Sequence, residues 1–309
     1  MKKKIWIAGH KGMVGSSLVR EFEKTNYKIL TIDKKKLDLK NQTKVEKWVK
    51  KNKPDVIIIA AAKVGGIKHN STYPANFIYD NLTISTNIIH SAYKNKIQKL
   101  VNLGSACIYP KLCKQPIKEE YLLTGELEKT NEAYAIAKIA ALKMCQYYNK
   151  QFKTNYLSLQ PTNLYGYNDN FNLKSSHVLP ALIRKFHEAK INKKKSVEIW
   201  GTGKATREFM FVDDLASAIK FLISKKFKMD VINVGSGEEI SIKKLAEKIK
   251  LIIGYDGKII FNTKYPDGTP RRVVSSKKIN QLGWKSKIKL NDGIKLTYTY
   301  FLKNYKLFK

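Results

Sequence analysis

The chain has 309 residues, with 59 Lys and Arg against 25 Asp and Glu and a formal charge of +34. At 43% hydrophobic and 27% charged it can build a sizeable core, which excludes a disordered or fibrous chain, and its length suits a large α/β domain with an appended lobe. No apolar run approaches the roughly 18 residues of a membrane span. Three cysteines are too few for a disulfide framework. The expectation is a cytoplasmic protein with no membrane partner.

The positive charge is not read as a nucleic-acid footprint. Only Arg20, Arg184, Arg207, Arg271 and Arg272 are arginines, and the lysines are spread along the whole chain. Base readout and bidentate phosphate recognition favour arginine. The excess therefore fits a compositional bias, and no nucleic-acid partner is expected.

In chain order, residues 5–8 read as a strand and 16–24 as a helix with Leu18, Val19 and Phe22 on one side. Residues 27–32 give a second strand. Residues 55–61 (DVIIIAA) form the nearly continuous apolar run of a strand buried on both faces. A helix over 77–93 is followed by a strand over 99–103 that ends at Gly104-Ser105. Residues 131–148 predict a long Ala-rich helix, and 155–160 a strand stopped by Pro161. This alternation is the βαβ rhythm of a parallel sheet.

After about Asn170 the rhythm changes. Helices are predicted over 176–188, 213–223 and 241–253 and near 292–301, strands over 196–200 and 231–234, and a turn at Pro266-Asp267-Gly268-Thr269-Pro270. The expected organisation is a nucleotide-binding domain over 1–170, to which segments from about 201–235 return, and a smaller lobe over 171–309.

Three motifs carry chemistry. Gly9-His10-Lys11-Gly12-Met13-Val14-Gly15 follows the first strand and opens the first helix. Glycines there permit a tight turn and close backbone approach, and a helix N-terminus favours an anion, so the segment reads as a dinucleotide cradle. Asp33 stands where an acid would bond a ribose 2′-hydroxyl and select NAD. Lys34 beside it offers charge for the 2′-phosphate of NADP, and the two residues point in opposite directions.

Third, Tyr134 and Lys138 lie one helical turn apart, on one face, downstream of Ser105 at a strand end. A phenol has a pKa of about 10. A neighbouring ammonium lowers it, which would make Tyr134 a usable proton donor, with Ser105 bonding a carbonyl oxygen. By residue type alone, Cys107 reads as a core cysteine and His177 as the cap of the helix that follows it. His10, His69, His90 and His187 show no metal spacing with Cys113 or Cys145, so no metal is expected.

Gly9 to Gly15, 60–62, Ser105, Tyr134 to Lys138 and Pro161-Thr162-Asn163 resemble the extended short-chain dehydrogenase/reductases. Longer stretches, 60–67 (AAAKVGGI), 104–111 (GSACIYPK), 132–140 (EAYAIAKIA), 161–166 (PTNLYG), 176–181 (SHVLPA) and 266–271 (PDGTPR), are similar to the branch of that family acting on GDP-4-keto sugars. The resemblance covers essentially the whole chain, in order. It implies a Rossmann-type doubly wound parallel sheet with a smaller α/β C-terminal substrate lobe, usually in a homodimer. It also implies NADPH-dependent 3,5-epimerisation and 4-reduction of GDP-4-keto-6-deoxy-D-mannose, or the corresponding chemistry on another GDP-4-keto sugar such as a 6-deoxy-heptose.

By the same resemblance the catalytic set is Ser105, Tyr134, Lys138, Cys107 and His177, with Cys107 and His177 as the epimerisation pair. His177 is assigned as acid and Cys107 as base, roles that are interchangeable on this basis. Cofactor contacts carry over to the Gly9–Gly15 turn, Lys34, Leu103, Gly104, Lys138, Pro161, Thr162, Asn163, Leu164 and His177, and substrate contacts to Lys185, Trp200, Arg207 and Asp267. Lys11 and Lys34 stand where the family tends to have arginine. They keep the charge but lose the bidentate fork.

Overall fold

The apolar runs of the first half become short strands because helices can cover them from both sides. The computed structural model describes residues 2–225, 229–265 and 267–308. Pro266 of the expected turn lies outside them, as do Met1, Lys309 and the stretch 226–228 of the two expected regions. Strand β1 (Lys4–Ala8) leads into helix α1 (Met13–Glu23), then β2 (Lys28–Leu30), α2 (Gln42–Asn52) and β3 (Val56–Ile59). Helices α3 (Ile67–Thr72) and α4 (Pro74–Lys94) precede β4 (Lys99–Leu103), α5 (Glu132–Phe152), β5 (Asn155–Pro161) and β6 (Asn163–Tyr165). The chain continues through α6 (Val178–Ile191), β7 (Ser196–Trp200), β8 (Thr206–Phe211), α7 (Val212–Ser224), β9 (Val231–Val234) and β10 (Glu239–Ser241). It ends with α8 (Ile242–Ile253), β11 (Lys258–Asn262), β12 (Arg271–Arg272), α9 (Lys277–Gln281) and α10 (Leu290–Asn304).

The main sheet is wholly parallel, in the order β2-β1-β3-β4-β5-β9. Alternation along the strands divides its core. Ile5, Ile7, Val56 and Ile58 pack with Leu18 and Phe22 of α1 and with Leu215 and Ile219 of α7. Trp6, Ile57 and Ile59 pack on the other face with Val45 and Val49 of α2 and with Ile88 and Ile89 of α4. Ile57 and Ile58 are fully buried, each contributing about 1.5–3 kcal/mol by removal from water. Strand order reverses between β1 and β3, which opens a crevice at their C-terminal ends, where open α/β sheets bind ligands.

The second half forms its own core from Tyr165, Phe186, Ile199, Phe211, Leu245, Ile249, Ile294 and Phe301. Two small sheets support it: β10-β8-β12, with β6 paired to β8, and β11 paired to β7. Among the described residues no helix is long and apolar enough to cross a membrane.

Several local expectations are corrected. The second strand shrinks to Lys28–Leu30, so Asp33 follows it in irregular backbone. Pro161 does not stop β5 but ends it, paired with Val234, because a missing N–H is tolerated at a terminal strand position. Helix α6 begins at Val178 rather than at 176, since His177 is extended (φ −76°, ψ 168°) and Pro180 suits a first helical turn. Helix α2 carries a polar sequence with only Val45 and Val49 buried, which leaves little periodic signal.

Candidate active site

The first glycine turn occupies the crevice. Gly9 has φ +89°, and a Cβ there would lie 2.6 Å from the Ala61 backbone, so β1 and the segment after β3 meet through bare backbone. A Cβ on Gly15 would run into the Gly9 carbonyl. Gly12 caps α1 without a side-chain hydrogen bond, and no acidic residue occupies the first turn of that helix. The first-turn N–H groups and the positive end of the helix dipole therefore lack a side-chain cap, which fits a dinucleotide's diphosphate.

Beside this turn, Lys11 Nζ pairs with Asp33 at 2.8 Å and His10 Nε2 approaches the same oxygen at 3.3 Å. The hydrogen bond from Lys11 is the strongest influence holding the Asp33 carboxyl below its ordinary range. Asp33 is thus an acid already paired with a cation, with Lys34 exposed next to it.

At the end of β4 the catalytic candidates converge. The side chain of Gln160 receives the Ser105 N–H at 2.9 Å, and a Cβ on Gly104 would collide with that same side chain. Ser105 starts a three-residue 3-10 turn, and its hydroxyl accepts the Cys107 N–H at 3.3 Å. Helix α5 packs Tyr134 and Lys138 against this turn. Lys138 Nζ donates to the Leu103 carbonyl at 2.7 Å and lies 5.7 Å from the Tyr134 ring centroid.

The electrostatics correct one expectation. Burial is the largest influence on Tyr134 and raises its pKa, Cys107 adds to the rise, and hydrogen bonding by Ser105 opposes it. The Lys138 ammonium, 5.7 Å from the ring centroid, does not outweigh that burial. It is committed to Leu103, and burial lowers its own pKa to about 8. Tyr134 therefore stays protonated near neutrality, the state a proton donor needs. Burial also pushes the Cys107 thiol up, opposed by Ser105 and then by the positive charges of Arg272 and Lys138.

His177 stands at the same edge of the sheet. The Gly66 N–H, in the segment after β3, donates to the Ser175 carbonyl at 2.9 Å, which fixes the approach to His177. His177 occupies the N-cap position of α6, as expected, but its side chain makes no capping hydrogen bond. The residue is exposed, while protein around it lowers the imidazole pKa by desolvation. Among the described residues no hydrogen bond joins His177 to the Ser105 cluster. Pro161 and Thr162 close β5, where the Thr162 N–H donates to the Val234 carbonyl at 3.0 Å, and Asn163 Nδ2 donates to the Glu208 carbonyl at 2.9 Å. Leu164 is partly buried against the main core.

The four expected substrate residues form a second group. Lys185 Nζ donates to the Glu198 carbonyl at 3.0 Å and lies 5.9 Å from the Trp200 ring centroid. Trp200 stacks on Tyr265, with centroids 4.3 Å apart and planes within 14°. Asp267 accepts the Thr202 N–H at 2.8 Å and the Thr202 hydroxyl at 2.6 Å. Arg207 reaches toward the same turn, and burial lowers its pKa to about 10. Tyr265 and Arg272 were not singled out in the sequence. Tyr265 precedes the proline turn and Arg272 sits in a two-residue strand, positions with no periodic signal. Among the described residues no group of His, Cys, Asp and Glu could hold a metal ion.

A glycine turn at a sheet's switch point, with a strand-end serine and a tyrosine and lysine one helical turn apart, defines a nicotinamide-dependent enzyme of the short-chain dehydrogenase/reductase type. The chain belongs to the NAD dependent epimerase/dehydratase family, whose family model matches residues 5–235. It is 51% identical over 302 residues to GDP-L-fucose synthase 1 of Arabidopsis thaliana, covering 97% of this chain and 94% of that protein. Among solved structures it is similar to a GDP-6-OMe-4-keto-L-xylo-heptose reductase from C. jejuni, with TM-score 0.92, 40% identity and 98% of each chain covered. A GDP-L-fucose synthetase from Naegleria fowleri bound to NADP gives TM-score 0.90 at 28% identity, covering 98% of this chain and 94% of that one.

Proposed function

We propose that the protein converts GDP-4-keto-6-deoxy-D-mannose, NADPH and a proton to GDP-L-fucose and NADP⁺, acting as a homodimer. The observation that carries this reading is the turn from Ser105 to Ile108. It sets an ionisable thiol two residues beyond a strand-end hydroxyl, against the half-buried Tyr134 and the buried Lys138. A plain ketoreductase has no use for a thiol there, whereas epimerisation beside a carbonyl does.

The 4-keto group acidifies the protons on C3 and C5, because the resulting carbanion delocalises as an enolate. One of Cys107 and His177 removes a proton from one face and the other returns one from the opposite face, and the pair acts in turn at the two carbons. Ser105 and the Tyr134 hydroxyl bond the C4 oxygen throughout. When bound, NADPH supplies a hydride to C4. Tyr134 then gives its proton to the developing alkoxide, and the Lys138 ammonium stabilises the phenolate left behind. The exposed Lys34, and the NADP in the Naegleria fowleri relative, support NADPH as the cofactor.

The test is to supply the ketosugar with NADPH and resolve the product by mass spectrometry and NMR. GDP-L-fucose is expected. Oxidation of NADPH with C3 and C5 uninverted would reduce the enzyme to a 4-reductase. Faster turnover of a 6-deoxy-heptose substrate would move it toward the C. jejuni relative's chemistry.

A further inference from the structure

Strands β8 and β12 pair in parallel with Arg207 and Arg272 as direct partners. Like charges at paired positions repel, and both side chains are half-buried. Among the described residues neither guanidinium has a salt bridge. Arg207 Nη1 donates to the Thr206 carbonyl at 2.9 Å, and Arg272 Nη1 to the Ala106 carbonyl at 2.9 Å. Arg272 Nη2 is buried with no partner at all. The Asp267 carboxylate, which acts on Arg207, is already held by Thr202. Two cations forced together, one with an unsatisfied donor, are missing an anion.

Their neighbours set the order along the cleft. The Trp200–Tyr265 stack and Asp267 lie at one end, joined through Gly201, whose Cβ would meet the Asp267 carboxylate. A Cβ on Gly268 would lie 3.6 Å from Arg207 Nη2, so Arg207 comes next. Arg272 grips Ala106, the residue before Cys107, at the other end. An aromatic platform, two cations and then the reacting groups match a nucleoside, a diphosphate and a sugar, in that order.

We propose that Arg272 is a substrate-binding residue that holds the sugar-side phosphate of the nucleotide diphosphate while Arg207 holds the nucleoside-side one. By gripping the Ala106 carbonyl, Arg272 also ties that phosphate to the turn carrying Cys107, so that binding the diphosphate sets the sugar against the thiol. This inference rests on the GDP-sugar reading.

The test compares GDP with GMP, which lacks the sugar-side phosphate, by calorimetric titration of the NADP⁺-saturated enzyme. Arg272→Gln is expected to weaken GDP about 10- to 100-fold, as loss of charge-assisted hydrogen bonds does, and to leave GMP within about twofold. Arg207→Gln is expected to weaken both. Arg272→Lys, which keeps the charge and loses the fork, is expected to fall between wild type and Arg272→Gln for GDP. It also serves if the glutamine variant fails to bind NADPH and so has not folded. Equal losses for GDP and GMP would overturn the assignment. So would unchanged GDP affinity with solvent exchange at C3 and C5 abolished, which would make Arg272 a partner of Cys107 alone. A wild-type enzyme that binds neither nucleotide would instead remove the GDP-sugar reading.

Discussion

The Cys107 N–H donates to the Ser105 hydroxyl at 3.3 Å, so the group proposed to bond the ketone caps the three-residue turn that carries the thiol. Cys107→Ser keeps the size and the turn but loses the ionisable sulfur. Exchange of the C3 and C5 protons with solvent deuterium should fall by about 10²-fold or more, the usual worth of a positioned acid–base group. NMR of the recovered ketosugar in deuterated water reads this directly. Wild-type exchange in the variant would take Cys107 out of proton transfer.

Lys138 titrates at about 8, so its ammonium is present below that pH and is lost above it. The rate of reduction should therefore decline on the basic side with an apparent pKa near 8. Lys138→Met should lower kcat by about 10²-fold and abolish that basic limb. A limb that persists in the variant would belong to another group.

On the proposed reading, cofactor choice is set beside the Lys11–Asp33 pair. Lys34→Ala should weaken NADPH more than NADH, whereas Asp33→Asn should strengthen NADPH by removing a carboxylate beside the 2′-phosphate. Each effect should be a few-fold, since these charges are partly exposed and screened. Fluorescence titrations with the two cofactors measure the ratio, and both effects should shrink at high salt.

Asp169 is buried, its Oδ2 has no partner, and burial pushes its carboxyl up to about 7. The native state keeps a proton that the unfolded chain releases near pH 4. Its contribution to stability is thus most favourable below about pH 4 and is lost progressively as pH rises toward 7, a change on the order of a few kcal/mol. Asp169→Asn should melt several degrees above wild type at pH 8 and show no advantage at pH 4. Melting curves at the two pH values decide it.

The sequence revealed most where one residue type dominated a run. The apolar stretch at 55–61 could only be a covered strand, and the glycines at 9, 12 and 15 could only be a turn against backbone. Ser105, Tyr134 and Lys138 were legible because a strand end and a helical repeat place them without knowledge of the tertiary fold. Arg272 was not, because its meaning lies in being opposite Arg207, a pairing across 65 positions that no local pattern encodes. The error about Lys138 has a similar origin. Spacing brings an ammonium near a phenol, but only the fold reveals that the Leu103 carbonyl takes its hydrogen bond and that burial outweighs its charge.

Strand β9 closes the main sheet with residues that follow β7 and β8 in the chain, pairing Ser158 to Pro161 with Val231 to Val234. Removing everything after residue 170 would strip β5 of its outer neighbour and bare a row of unpaired backbone groups, an edge prone to aggregation. Substrate preference therefore cannot be exchanged with a relative by a single crossover at that point. A working chimaera must bring in the lobe as inserts on either side of a retained α7 and β9, since α7 packs in the main core.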